Sequence, residues 1–239
     1  MAQMRLDKLL VELGIASRRA LKEIVRDGRV TVDGVPAVRP EQKLDPETCE
    51  IRLDGELLHY AGFRYYMMDK PAGVLSATED PRQKTVLDLV TPQMRRMGLF
   101  PVGRLDKDTS GLLLLTNDGD FAHRVISPKS GVEKLYYAVV EGNPSEEDVH
   151  AFREGLCLKD GTQCLPAKLE PLGPGECLVT VMEGKYHQVK RMLAACGKPV
   201  ISLRRLRIGD LELDKTLGPG GYRELAPEDL CRLFRTDVM

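Results

Sequence analysis

The segment GRLDKDTSGLLLLT, residues 103–116, joins a charged loop to an apolar strand. Arg104, Asp106, Lys107 and Asp108 fall within five positions, and the chain then turns into Leu112–Leu115. The aliphatic run reads as a buried strand. Asn117-Asp118-Gly119 ends it, and residues 119–127 suit a helix. Charged loops carried by a rigid strand are common sites of chemistry. Three readings of the loop stand at this point. One is an Asp-x-Asp magnesium phosphotransferase, disfavoured because the apolar strand follows the pair instead of preceding it. Another is a single nucleophilic or basic Asp beside cations. The third is a turn of solvated charges with Thr109 and Ser110 as local caps.

Downstream, KLYYAVV reads as a strand in which Tyr136 and Tyr137 face opposite ways, one toward the core and one toward a cleft. SEEDVHAFREGL reads as a helix that Ser145 and Asp148 begin, and CLVTVM as a strand. YHQVKRMLAACG reads as a helix with Val189, Met192, Leu193 and Cys196 on one face and Gly197 as its stop. Lys190 and Arg191 border that face, so one of them can point inward and hold Asp106 ionised. VISLRRLRIGDLEL supplies one or two more strands. Upstream, FRYYMM is a strand ending at DKPAG, and TVLDLV a short helix. GPGE at 173–176 and GPGG at 218–221 are turn formers.

The first 58 residues differ in character. Leu6, Leu9, Leu10 and Leu13 have helical spacing, and Gly14 stops that helix. Ser17 caps a second helix over 18–27, ended by Gly28. RVTVDGVPAV turns at Asp33-Gly34 as a hairpin, and CEIRL reads as a strand. The domain boundary is expected near residues 56–62. The pattern as a whole predicts an α+β fold with a mixed, largely antiparallel sheet.

Composition narrows the function. The 239 residues are 42% hydrophobic and 30% charged, an ordinary globular balance. No apolar run approaches a membrane span, and the N-terminus has no signal-peptide core, so the expected location is the cytoplasm. The six cysteines form no C-x-x-C pair, which predicts free thiols and no zinc site. Nucleotide-binding glycine motifs and metalloprotease or hydrolase signatures are absent from the sequence. Net charge is −1, yet cations concentrate in two places. Residues 1–32 carry seven Lys/Arg against four Asp/Glu. Residues 184–207 carry Lys185, Lys190, Arg191, Lys198, Arg204, Arg205 and Arg207 with no acid. Two basic patches suggest a polyanion held at two points.

At this level of detail the blocks resemble a family. GRLDKDTSGLLLLTNDGD resembles the signature of ribosomal RNA pseudouridine synthases of the small-subunit synthase A family. KPAGVLS (70–76), EKLYYAV (133–139), EGKYHQVKRMLAACG (183–197) and LRRLRIGDL (203–211) match its other blocks in order. RLDKLLVELGIASRRALKEIVRDGRVTVDG resembles the S-four-type RNA-binding domain that often precedes it. The resemblance implies a small α/β RNA-binding module at 1–58 and a catalytic domain at 62–239. The implied reaction is isomerisation of a specific uridine in 16S ribosomal RNA, of the uridine 516 type, after base flipping and without cofactor or metal. It implies Asp106 as the catalytic residue, Tyr136 stacking on the uracil and Lys190 pairing with Asp106; many relatives have Arg where Lys190 stands. Arg104 is expected to fill the vacated stack or hold a phosphate. Arg5, Lys8, Ser17, Arg18, Arg19, Lys22, Arg29, Lys185 and Arg191 are expected to contact RNA. The expected partner is 16S RNA or an assembling small subunit, with a monomeric enzyme and no membrane. Rival readings are the same chemistry on 23S RNA and a non-catalytic RNA-binding or assembly factor.

Overall fold

A computed structural model describes residues 3–46, 48–58 and 62–234. The chain divides into two units, one of residues 1–64 with 90–100 and one of residues 65–89 with 101–239.

The first unit contains β1 (Met4–Arg5), α1 (Leu6–Glu12), α2 (Arg18–Arg26), β2 (Val30–Val32), β3 (Val35–Pro36), β4 (Lys43–Leu44), β5 (Ile51–Leu53), β6 (Glu56–Leu57) and α3 (Pro92–Arg96). Leu6, Leu9 and Leu10 of α1 pack with Leu21 and Val25 of α2 over Val30 and Ile51. This is the stripe that the leucine spacing predicts. Ser17 accepts a hydrogen bond from the Ala20 amide and is the N-cap of α2. Asp33, at positive φ, turns the β2–β3 hairpin. Residues 90–100 were not read as belonging with the N-terminal residues; Arg96 Nε donates to the Gly14 carbonyl, 2.8 Å away.

The second unit holds β7 (Tyr65–Lys70), β8 (Phe100–Pro101), β9 (Ser110–Thr116), α4 (Gly119–Ile126), β10 (Lys134–Val140), α5 (Glu146–Glu154), β11 (Lys168–Gly173), β12 (Glu176–Val181), α6 (Gln188–Ala195), β13 (Val200–Ile208), β14 (Leu211–Glu212), β15 (Tyr222–Glu224) and α7 (Pro227–Leu233). Its sheet runs β11-β12-β10-β13-β9-β7-β15, with β14 beside β13 and β8 beside β9. Only the β13–β9 contact along this path is parallel, so the sheet is mixed and largely antiparallel. β9 is buried over six of its seven residues. The two caps expected for α5 are present: Ser145 and Asp148 bond each other's backbone as a capping box. Phe152 of α5 and Val189, Met192 and Leu193 of α6 pack on Ala138, Val179 and Val181. α3, α7, β11 and β15 were not read from the sequence. All six cysteines are free, and among the described residues no helix is long and apolar enough to cross a membrane.

Candidate active site

The loop that enters β9 is fixed from the strand beside it. Lys70 is fully buried at the end of β7. Its Nζ donates to the carbonyls of Thr109 (2.8 Å), Pro71 (2.9 Å), Asp106 (3.2 Å) and Lys107 (3.3 Å). One ammonium thus ties down three residues of the loop. Burial pushes it down to about 8, while Asp108 and Asp106 pull the other way. Ser76 closes the same loop by exchanging hydrogen bonds with the amide and carbonyl of Leu105, at 3.0 and 2.9 Å. The KPAGVLS block therefore has a structural task that sequence reasoning missed. No local pattern reveals it, because the three loop carbonyls that Lys70 satisfies lie 36 to 39 residues away.

Asp106 stands on the wall of a cleft of about 70 Å³ that is also lined by Arg104, Tyr136, His187 and Lys190. Its side chain is a quarter exposed. Lys190 Nζ lies 3.3 Å from Oδ2, and His187 Nε2 lies 3.5 Å from Oδ1. Lys190 is nearer still to Asp108, at 2.5 Å. The hydrogen bond from Lys190 holds the Asp108 carboxyl below its usual range. The exposed carboxylate of Asp108 thus shares the cation of Asp106. With Lys190 contacting both carboxylates, an ammonium takes up the charge that a divalent ion would need.

Tyr136 is half-buried on β10 and faces the cleft, whereas Tyr137 points to the other face and bonds Glu176. The Tyr136 hydroxyl accepts from Arg205 Nη1 at 3.3 Å. Buried Arg205 also donates through Nε to the Leu112 carbonyl at 2.7 Å. Lys134, one turn of the pleat away, has a buried Nζ with no hydrogen-bond partner among the described residues. Burial, with Arg205 adding to it, pushes Lys134 down to about 8. Arg204 and Arg205 face opposite ways: Arg204 pairs with Asp69 at 2.7 Å.

The loop that leads into α6 carries a buried carboxylate. Glu183 accepts from the Leu165 amide (2.9 Å), Gln188 Nε2 (2.7 Å) and Lys185 Nζ (2.5 Å). Burial works against its charge, and these donors outweigh burial, leaving the carboxyl below its usual range. His187 then adopts left-handed backbone angles, φ 48° and ψ 34°, at the N-cap of α6. For a non-glycine residue this costs about 1 kcal/mol or more.

The cations of residues 184–207 do not form the open patch expected from their sequence. Lys185 is held by Glu183, Arg191 by Asp160 (2.6 Å), Lys198 by Asp148 (3.5 Å), Arg204 by Asp69, and Arg207 by Asp210 (3.1 Å). The run is free of acids in the chain and not in space. In the first unit Arg5 forks onto Asp7 and Arg29 onto Asp54. Lys8 lies 3.7 Å from Glu12. Ser17 is occupied as a cap. Arg18, Arg19 and Lys22 remain exposed on α2, and Arg19 and Lys22 have no ion-pair partner among the described residues. Arg104 is likewise exposed at the cleft without a hydrogen-bond or ion-pair partner among them.

Comparison with known proteins identifies the family. Residues 64–195 match the RNA pseudouridylate synthase family, and residues 4–48 match the S4 domain. The chain belongs to the RNA pseudouridylate synthase family of isomerases, with an N-terminal S4 domain. It is 48% identical to an uncharacterised RNA pseudouridine synthase of Bacillus subtilis, over 95% of this chain and 97% of the relative. It is 42% identical to the ribosomal small subunit pseudouridine synthase A of Escherichia coli K12, over 95% and 99%. A crystal structure of a pseudouridylate synthase, 35% identical, superimposes with a TM-score of 0.68 over 96% of this chain and 99% of the other.

Proposed function

We propose that this enzyme converts a single uridine of small-subunit (16S) ribosomal RNA to pseudouridine, with Asp106 as the reacting carboxylate. The observation that carries the reading is the convergence of Asp106, Lys190 and Tyr136 on one cleft, in a chain similar over nearly its full length to small-subunit synthases. The reaction breaks the N1–C1′ bond, turns the base and forms a C5–C1′ bond; C5 loses a proton and N1 gains one. Nothing is oxidised or reduced, and atoms balance without a co-reactant.

Each side chain has a part to play. The uridine must leave its stack to reach Asp106, at a cost of a few kcal/mol. Tyr136 offers the flat ring on which the extruded uracil stacks, braced from behind by Arg205. Lys190 keeps a positive charge beside Asp106 as the carboxylate attacks C6 or C1′, or takes a ribose proton. Lysine gives up the bidentate fork that arginine would supply but keeps the charge. Unpaired Arg104 can enter the space the uridine leaves or hold a phosphate. Arg18, Arg19 and Lys22 supply phosphate contacts from the S4 domain. The cleft is built within one chain, so a monomer suffices.

Mapping pseudouridine across ribosomal RNA from cells with and without the gene tests the target. Loss of one 16S site, of the uridine 516 type, is the expected result. Loss of a 23S site instead would move the substrate to the large subunit, and an unchanged map would favour a binding or assembly role.

A further inference from the structure

Tyr186 has no part in the roles assigned so far. It lies on the rim beside the cleft, and the residue is 75% exposed, far more than a tyrosine needs in order to wet its hydroxyl. The ring is not loose. It stacks on His187 with centroids 3.8 Å apart and planes within 19°, and His187 in turn lies 3.5 Å from Asp106. The two rings therefore form a stack that starts beside the reacting carboxylate and ends in open solvent.

The backbone beneath holds this stack in place. The left-handed turn at His187 sets its ring toward Asp106. Lys185 and Gln188 exchange bonds across the turn, with the Lys185 amide on Gln188 Oε1 at 2.9 Å and the Gln188 amide on the Lys185 carbonyl at 3.2 Å. Arg191 donates to the Tyr186 carbonyl at 3.4 Å and is itself held by Asp160. A ring fixed in this way gives up little freedom when something lands on it. Its hydroxyl makes no hydrogen bond among the described residues; the ring's one aromatic contact among them is His187 on the inner face, and the outer face and hydroxyl meet solvent.

We propose that the outer face of Tyr186 is a binding site for a nucleobase flanking the target uridine. The inference rests on the reading of Asp106 as the group that meets a flipped uridine. Flipping leaves the neighbouring base with a bare face, and an aromatic ring one stacking step out from the site replaces the lost partner. Stacking tolerates any base, so the platform adds affinity and register more than sequence choice.

The test uses the full chain and a small-subunit ribosomal RNA fragment, unlabelled or carrying 2-aminopurine beside the target uridine. Y186A is expected to weaken RNA affinity and raise KM by about tenfold or more, with saturated single-turnover rates changed less than about twofold. Y186F, which keeps the ring, should stay within about twofold of the parent. The 2-aminopurine signal should be quenched by the parent and by Y186F but not by Y186A. Unchanged affinity in Y186A, or equal impairment in Y186F, overturns the platform. If the parent forms no pseudouridine, the proposed activity fails, while the affinity comparison of Y186A with Y186F still decides the stack.

Discussion

Lys70 and Lys134 are both buried lysines pushed down to about 8, yet their surroundings differ. Lys70 satisfies four carbonyls and fixes the Asp106 loop. Lys134 satisfies none among the described residues, so its burial is a cost without a matching bond. An unfolded lysine titrates near 10.5. Between pH 8 and 10.5 the unfolded chain therefore holds protons that the folded chain has released. Stability contributed by these groups rises with pH across that window, by at most about 1.4 kcal/mol per pH unit per lysine. Lys134→Met should raise the thermal midpoint at pH 7 by a few degrees, at about 2–4 °C per kcal/mol for a chain of this size. It should also remove about half of the two lysines' alkaline gain. A lowered midpoint in calorimetry at pH 7 would mean that Lys134 has a stabilising partner.

Among the elements, β9 and β13 decide where the loop sits. Gly111, at φ +104°, crosses Arg205 so closely that an added Cβ would overlap the Arg205 carbonyl oxygen and lie 2.7 Å from its amide nitrogen. Both strands are fixed there, β13 by the Arg205–Leu112 bond and β9 by burial. Gly111→Ala should destabilise the protein by about 2–4 kcal/mol, by backbone strain and forced strand separation; denaturant melts with a near-parental midpoint would contradict this. Periodicity and caps made the strands 65–70, 110–116, 134–140 and 176–181 and the helices at 145 and 187 legible, because each signal is local. β15 is three residues, and β11 holds Pro171 and Gly173; both gain their extended form from pairing partners, which no local pattern reports. Asp106, Tyr136 and Lys190 could be placed because their motif blocks are contiguous. His187 and Tyr186 lay inside one of those blocks but were read as the first residues of the helix, which begins at Gln188, since a stacked pair at a left-handed turn has no sequence marker.

For the molecule as a whole, the distribution of free charge matters more than its count. Sequence alone marked residues 184–207 as a basic patch, and the fold then brings Asp69, Asp148, Asp160, Glu183 and Asp210 to its cations. Of the cations expected to meet RNA, Arg104 at the cleft and Arg19 and Lys22 on α2 are exposed and have no ion-pair partner among the described residues. A double Arg19→Ala, Lys22→Ala variant should therefore weaken RNA binding and flatten the slope of log affinity against log salt by about one to two. An unchanged slope would show that these side chains do not meet phosphates. Replacing Arg5 or Arg29, each locked on a carboxylate, should alter the slope less.

Under the proposed function, Asp106 alone of the two neighbouring carboxylates performs the reaction. Tritium release from C5-labelled uridine in the ribosomal RNA substrate measures it directly, with Asp106→Asn and Asp108→Asn compared side by side. Asp106→Asn should abolish release while RNA affinity stays within about threefold. Asp108→Asn, which leaves Lys190 its contact with Asp106, should keep at least about a tenth of the parental rate, a loss of no more than about 1.4 kcal/mol in the barrier. Full activity in Asp106→Asn, or equal abolition in both variants, would contradict the account.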